Sequence, residues 1–199
     1  MDQRADRTTD QPGSGGAGAD EPAGRAEVVA AELGQVPIDA GVDDSDVSTQ
    51  AEVPGGIVVG HDGSECSQVT LRWAATLAER ASWPLHVVRA WRMTSAPRPS
   101  TWEPGYVPPM TDYEQAVLED LRADVRSALG PDRAAAVCCH AVHTAPVKAL
   151  IEAGESADLL VVGSRGHGGF TGLLLGSVSD QIVRHAPCPV TVVRTQRQD

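Results

Sequence analysis

The chain has 199 residues, 41% of them hydrophobic, a formal net charge of −11 and a pI near 4.9. That length holds one ordinary domain with an appended segment, and the acidic balance excludes a nucleic-acid binder, which needs clustered Lys and Arg to neutralise phosphates. No apolar run nears the roughly 20 residues of a membrane-spanning helix, no basic-then-apolar leader pattern opens the sequence, and the four cysteines lack C-x-x-C spacing, so the reading is of a soluble, reduced, cytoplasmic protein.

The charge is unevenly spread. Residues 1–54 carry 12 acidic and 3 basic side chains, a net −9, whereas residues 55–199 carry 15 and 13, a net −2. The first segment, rich in Asp, Gly, Ala and Glu, cannot bury enough apolar surface to offset the entropy of ordering, so it is assigned as a disordered acidic extension, 1–54, ahead of a globular domain, 55–195. Its weakly apolar patch, AEVVAAELGQVPI, is a candidate short helix for docking a protein partner, with a plain solvated tail as the alternative.

From residue 56 strand-like and helix-like runs alternate. GIVVG (56–60) reads as a buried strand ending at the turn-prone HDGS. Over 65–81 Val69, Trp73, Leu77 and Ala81 recur every four residues, predicting a helix with that apolar face and Ser64 as its N-cap. WPLHVVRAW (83–91) is the second strand, and the Pro- and aromatic-rich stretch 92–110 is a long loop. A second helix follows, with Thr111 and Glu114 at capping-box spacing, Leu118, Leu121, Val125 and Ala128 facing inward, and Gly130 and Pro131 ending it.

AAVCCHAVH (135–143) is the third strand, and a helix over 146–155 starts on Pro146. DLLVVGS (158–164) does not alternate, as expected of a strand covered on both faces. A helix of about ten residues and the strand PVTVV (189–193) close the series. The fold predicted is α/β: a doubly wound, open, five-stranded parallel sheet of Rossmann-like type, whose ligands sit beyond the carboxyl ends of the strands where the strand order reverses.

Between the fourth strand and the last helix runs GSRGHGGFTGLLLGS, with two residues between Gly163 and Gly166, then nine residues before Gly176 and Ser177. A helix N-terminus offers unpaired N–H groups and a partial positive charge, and glycines let an anion approach the backbone. Phosphate is one guest this loop suits, with hydroxyl donors at Ser177 and Ser179 and Arg165 as the loop's cation; a strand-to-helix connection that needs glycine only for tight turns is the other reading. Asp62, at the first strand's carboxyl end, is a ligand-contact candidate or a turn residue between Gly60 and Gly63. His61 and His167 flank the same edge and read as exposed loop residues, with contact to phosphate as the alternative.

The glycine spacing, together with GHDGS and the closing APCPVTVV, resembles the universal stress protein family over 55–195. The resemblance implies an adenine nucleotide alpha hydrolase-like fold with ATP across the carboxyl edge. It places Asp62 near ribose and phosphates, backbone at Ala90 against adenine, and Gly163, Arg165, Gly166, Gly176, Ser177, Val178 and Ser179 around the phosphates. It further implies Mg or Mn as companion ion, homodimers pairing through Val190–Val193, and a stress-linked role exerted by occupancy. The acidic extension is not part of the shared domain.

Other chemistries fit less well. HGGF (167–170) is like an esterase oxyanion-hole sequence, but no G-x-S-x-G elbow accompanies it. CCHAVH crowds thiols and imidazoles, but alternation sends Cys138 and Cys139 to opposite faces and no second ligand pair completes a zinc site. Neither a Walker loop nor G-x-G-x-x-G after a strand occurs, and without a P-loop lysine any ATP hydrolysis is expected to be slow. A nucleotide-free interaction module whose acidic tail recruits a partner remains the alternative.

Overall fold

The computed structural model describes residues 46–166 and 174–195. The apolar patch of the extension, His167 and the HGGF run lie outside the described residues. Five strands, β1 (Ile57–Gly60), β2 (Leu85–Ala90), β3 (Val137–Val142), β4 (Leu159–Gly163) and β5 (Val190–Val193), form one parallel sheet in the order β3-β2-β1-β4-β5. The chain therefore builds outward from β1 to β3, returns, and builds the other way through β4 and β5. The reversal falls between β1 and β4, and a crevice opens there because the connections leave the two strands in opposite directions.

Helices cover both faces. On one, α1 (Glu65–Ala81) and α2 (Met110–Leu129) set Leu71, Ala74, Ala78, Leu121 and Val125 against Ile57, Val59, Val87 and Val161. On the other, α4 (Pro146–Gly154) and α5 (Ser177–His185) set Leu150, Ala153 and Ile182 against Val58, Val88, Leu160 and Val162. Burial on both sides is why the strand sequences are continuous apolar runs. A four-residue helix, α3 (Pro131–Ala134), joins α2 to β3 and was not anticipated.

Helix α1 begins as expected, with Ser64 Oγ accepting a hydrogen bond from Ser67 N at 3.2 Å. Its buried face differs: Leu71, Ala74, Ala75 and Ala78 turn inward, whereas Trp73 is 42% exposed. Small residues let the helix approach the sheet closely, and an indole on that face would hold it away. The capping box does not form. Helix α2 starts two residues earlier, on Met110 with Pro109 as N-cap, and the Glu114 carboxylate instead accepts from Ser48 N at 2.7 Å. With that start Met110, Val117, Leu121, Val125 and Leu129 form the buried stripe, one position from the expected one at Leu118 and Ala128.

Residues 46–54, expected to belong to the disordered extension, pack on the domain. Val47 joins Trp91, Met110 and Val117, while Ala51 and Val53 join Val88, Val142 and Leu150. His143 N donates to Ser48 O at 2.8 Å, which extends the backbone pairing past the end of β3. The apolar residues of VSTQAEV are too few to have marked it as packed against its polar surroundings.

Candidate functional site

A cleft of about 1210 Å³ opens at the carboxyl ends of β1, β2 and β4. Asp62, Ala90, Gly163, Arg165, Gly166, Gly176, Ser177, Val178 and Ser179 all line it. Sequence spacing had grouped seven of these on one loop; folding adds Asp62 from the end of β1 and Ala90 from the end of β2.

Helix α5 supplies the anion-friendly feature. Gly176 is its N-cap and makes no side-chain cap hydrogen bond, so among the described residues the first-turn N–H groups of Ser177, Val178 and Ser179 stand at the cleft with the positive end of the helix dipole. Gly176 N donates to Ser164 O at 2.8 Å and so anchors the helix start to the end of β4. The Ser179 hydroxyl donates to Gly163 O at 2.5 Å. Its proton thus ties α5 to β4.

The glycines do different jobs. A Cβ on Gly163 would lie 2.8 Å from Cys66 Sγ and 3.1 Å from Thr70 Oγ1, so this position is bare to let β4 meet α1. A Cβ on Gly166 would lie 2.3 Å from Asp62 Oδ2, so its bareness makes room for that carboxylate. A Cβ on Gly176 would meet nothing closer than 3.5 Å. Asp62 is oriented from its own side, its Oδ1 accepting from Ser64 N at 3.0 Å and Ser64 Oγ at 2.6 Å. Hence Asp62 both shapes the turn into α1 and reaches the glycine loop.

Three residues that sequence reasoning missed or misplaced complete the lining. His61, expected as an exposed loop residue, is only 4% exposed. Its neighbour in space is Arg89 of β2, 8% exposed and held by Asp120 and Asp124 of α2. Burial first, and then the Arg89 charge, lower the His61 pKa to about 4, so the ring is neutral near pH 7. Trp91, 2% exposed, packs on His143 with ring centroids 4.5 Å apart. An arginine inside the apolar run LHVVRA and carboxylates four apart on α2 were the available signal.

The chain is thus, by fold and site, a doubly wound α/β protein with its cleft at the switch point of the sheet and a bare helix N-terminus facing into it. The profile of the Universal stress protein family matches residues 56–194, and the chain belongs to that family. Universal stress protein Rv2623 of Mycobacterium tuberculosis is 36% identical over 146 residues, covering 71% of this chain and 48% of that protein. Universal stress protein Rv2005c of the same organism is 36% identical over 145 residues, covering 70% and 48%. The chain spans about half the length of these relatives. Among solved structures, universal stress protein UspA from Lactobacillus plantarum superposes with a TM-score of 0.52 at 21% identity, covering 72% of this chain and all of that one, and shares the fold.

Proposed function

We propose that the cleft binds ATP and that the protein acts in a stress response by nucleotide occupancy rather than by fast turnover. The observation that carries this reading is the convergence of Asp62, Ala90, Gly163, Arg165, Gly166 and the segment from Gly176 to Ser179 on one cleft at the start of α5. The phosphates lie at the amides of Ser177 to Ser179 beside Arg165 and Gly166. Adenine lies against Ala90 and the apolar wall of Val88 and Pro97. Asp62, next to Gly166, is the carboxylate placed to share a Mg²⁺ or Mn²⁺ ion with ligand phosphates, which would themselves supply most of its oxygens.

No lysine lines the cleft among the described residues, so little is present to neutralise charge on a transferring phosphoryl group and hydrolysis should be slow. Strand β5 ends the sheet order, and a homodimer in the cytoplasm pairing Val190–Val193 across two copies would satisfy that edge. Mass spectrometry of small molecules released from the purified protein, with calorimetric titration of ATP, tests the reading. An adenine nucleotide in the extract or saturable ATP binding supports it. The absence of both favours an interaction module that works without a nucleotide.

A further inference from the structure

The α2 side of the cleft holds a side-chain assembly that phosphate binding does not use. Arg89 donates from Nη1 to Asp120 Oδ2 at 2.6 Å and from Nη2 to Asp124 Oδ2 at 2.5 Å, and Nη2 lies 2.7 Å from His61 Nδ1. A guanidinium has donors only, so His61 Nδ1 must accept. Gly63 N–H is directed at the same nitrogen from 3.3 Å, a contact that the turn at Gly63, φ 87°, makes available. With Nδ1 accepting, the hydrogen of the neutral ring resides on Nε2. That Nε2 is buried and has no hydrogen-bond partner among the described residues. Buried donors left this way are few in folded proteins and ask for an acceptor.

Two further observations say what kind of acceptor. One guanidinium faces two carboxylates beside an uncharged ring, so this end of the cleft carries net negative charge and repels phosphate. His61 N donates to Val88 O at 3.0 Å, which sets its backbone beside the end of β2, on the side of β1 away from β4, and its Nδ1 lies 2.7 Å from Arg89 Nη2. The cleft lining also includes Val88, Ala90, Trp91 and Pro97, apolar surface suited to a flat ring with a few polar atoms.

We propose that His61 determines ligand specificity: its Nε2–H, locked in one tautomer by the Arg89, Asp120 and Asp124 clamp, donates to a neutral acceptor on the base of the bound nucleotide, a ring nitrogen or a carbonyl oxygen. This rests on the nucleotide reading above. The ring cannot reverse its role, because moving the hydrogen to Nδ1 would set it against Arg89 Nη2–H. A base presenting a donor at that place is therefore rejected, by the same logic that makes unpaired buried groups strong discriminators. Arg89, Asp120 and Asp124 are positioning residues in this scheme.

The test uses the full chain. Nitrogen-15 NMR of the His61 ring at neutral pH should show hydrogen on Nε2 and a lone pair on Nδ1, and saturating ATP should shift the Nε2–H signal. The dissociation constant for ATP should rise about tenfold in His61→Phe, the loss of one well-made hydrogen bond, and His61→Gln, which keeps a donor at a similar reach, should recover most of it. A hydrogen on Nδ1, an Nε2–H signal unmoved by saturating ATP, or His61→Phe binding as tightly as the parent overturns the proposal. If His61→Phe does not fold, the two NMR measurements on the parent protein decide. ATP that binds without moving His61 sinks this proposal alone, whereas a parent protein that binds no nucleotide sinks it together with the nucleotide reading.

Discussion

The two ends of the cleft are built on different principles. At the α5 end the chain presents backbone: uncapped amides, glycines and one nearby arginine, all within 163–179. At the α2 end it presents a rigid set of side chains, His61, Arg89, Asp120 and Asp124, drawn from three parts of the fold. Backbone donors at a helix start accept any anion of suitable size and need no costly burial of charge. A desolvated guanidinium between two carboxylates is expensive to assemble and tolerates one arrangement only. The first end thus suits affinity and the second suits discrimination.

The largest way to break this contrast is to strip the clamp of its negative charges. Asp120→Asn with Asp124→Asn leaves a buried guanidinium without its counter-charges, and urea unfolding should show a loss of roughly 3–5 kcal/mol. If the double variant is as stable as the parent, the clamp is not a fixed structure and the contrast fails.

Next in size is the response to acid. The folded His61 pKa is about 4 against an ordinary 6.5, so between those values the unfolded chain binds a proton that the folded chain refuses. Stability is therefore unaffected by this group above pH 6.5 and falls as pH drops from 6.5 towards 4, by about 3 kcal/mol in all. Burial also lowers the pKa of His86 and His140, whose nitrogens lie 3.1 Å apart, and both steepen the same limb. Denaturation midpoints measured across this range should decline less steeply in His61→Phe than in the parent. Equal slopes would mean His61 is not held neutral.

The two ends also differed in how far the sequence disclosed them. Spacing within one loop marked Gly163, Gly166, Gly176 and Ser177, because the amides that matter sit on consecutive residues whose geometry is local. The clamp joins residues 28 to 35 positions apart, and a single sequence carries no sign that His61 and Arg89 meet. His61 looked exposed because the Arg89 side chain it meets lies 28 positions along the chain. For the same reason Ser64 was legible as a cap for α1, three residues from its donor, while Glu114 was misread. Its partner, Ser48, lies 66 positions away in a segment that looked solvated. The buried face of α1 was misjudged because side-chain size, rather than apolarity, decides which residues can approach the sheet.

Within the glycine loop the same contrast can be sharpened by a matched pair. Gly163→Ala places a methyl group 2.8 Å from Cys66 Sγ and 3.1 Å from Thr70 Oγ1, an overpacked contact expected to cost about 1–3 kcal/mol in thermal or urea unfolding. Gly176→Ala meets only ordinary contacts, the nearest at 3.5 Å, so its stability should change by less than about 0.5 kcal/mol. The opposite ranking would show that Gly163 is bare for the ligand and Gly176 for the fold.

The smallest stability effect and the most informative binding effect should come from Gly166→Ala. The added Cβ would sit 2.3 Å from Asp62 Oδ2, so the carboxylate has to swing away. Because Asp62 lies at the surface of the turn, that movement should cost the fold no more than about 0.5 kcal/mol. ATP, however, would lose whatever contact Asp62 makes from the floor of the cleft, and the dissociation constant should rise about tenfold, as for one lost hydrogen bond to a charged group. Asp62→Ala should weaken binding to the same degree, and adding Gly166→Ala to it should change little more, since both act through one carboxylate. Additive losses would instead mean that the methyl group itself obstructs the phosphates, and that Gly166 serves the ligand directly.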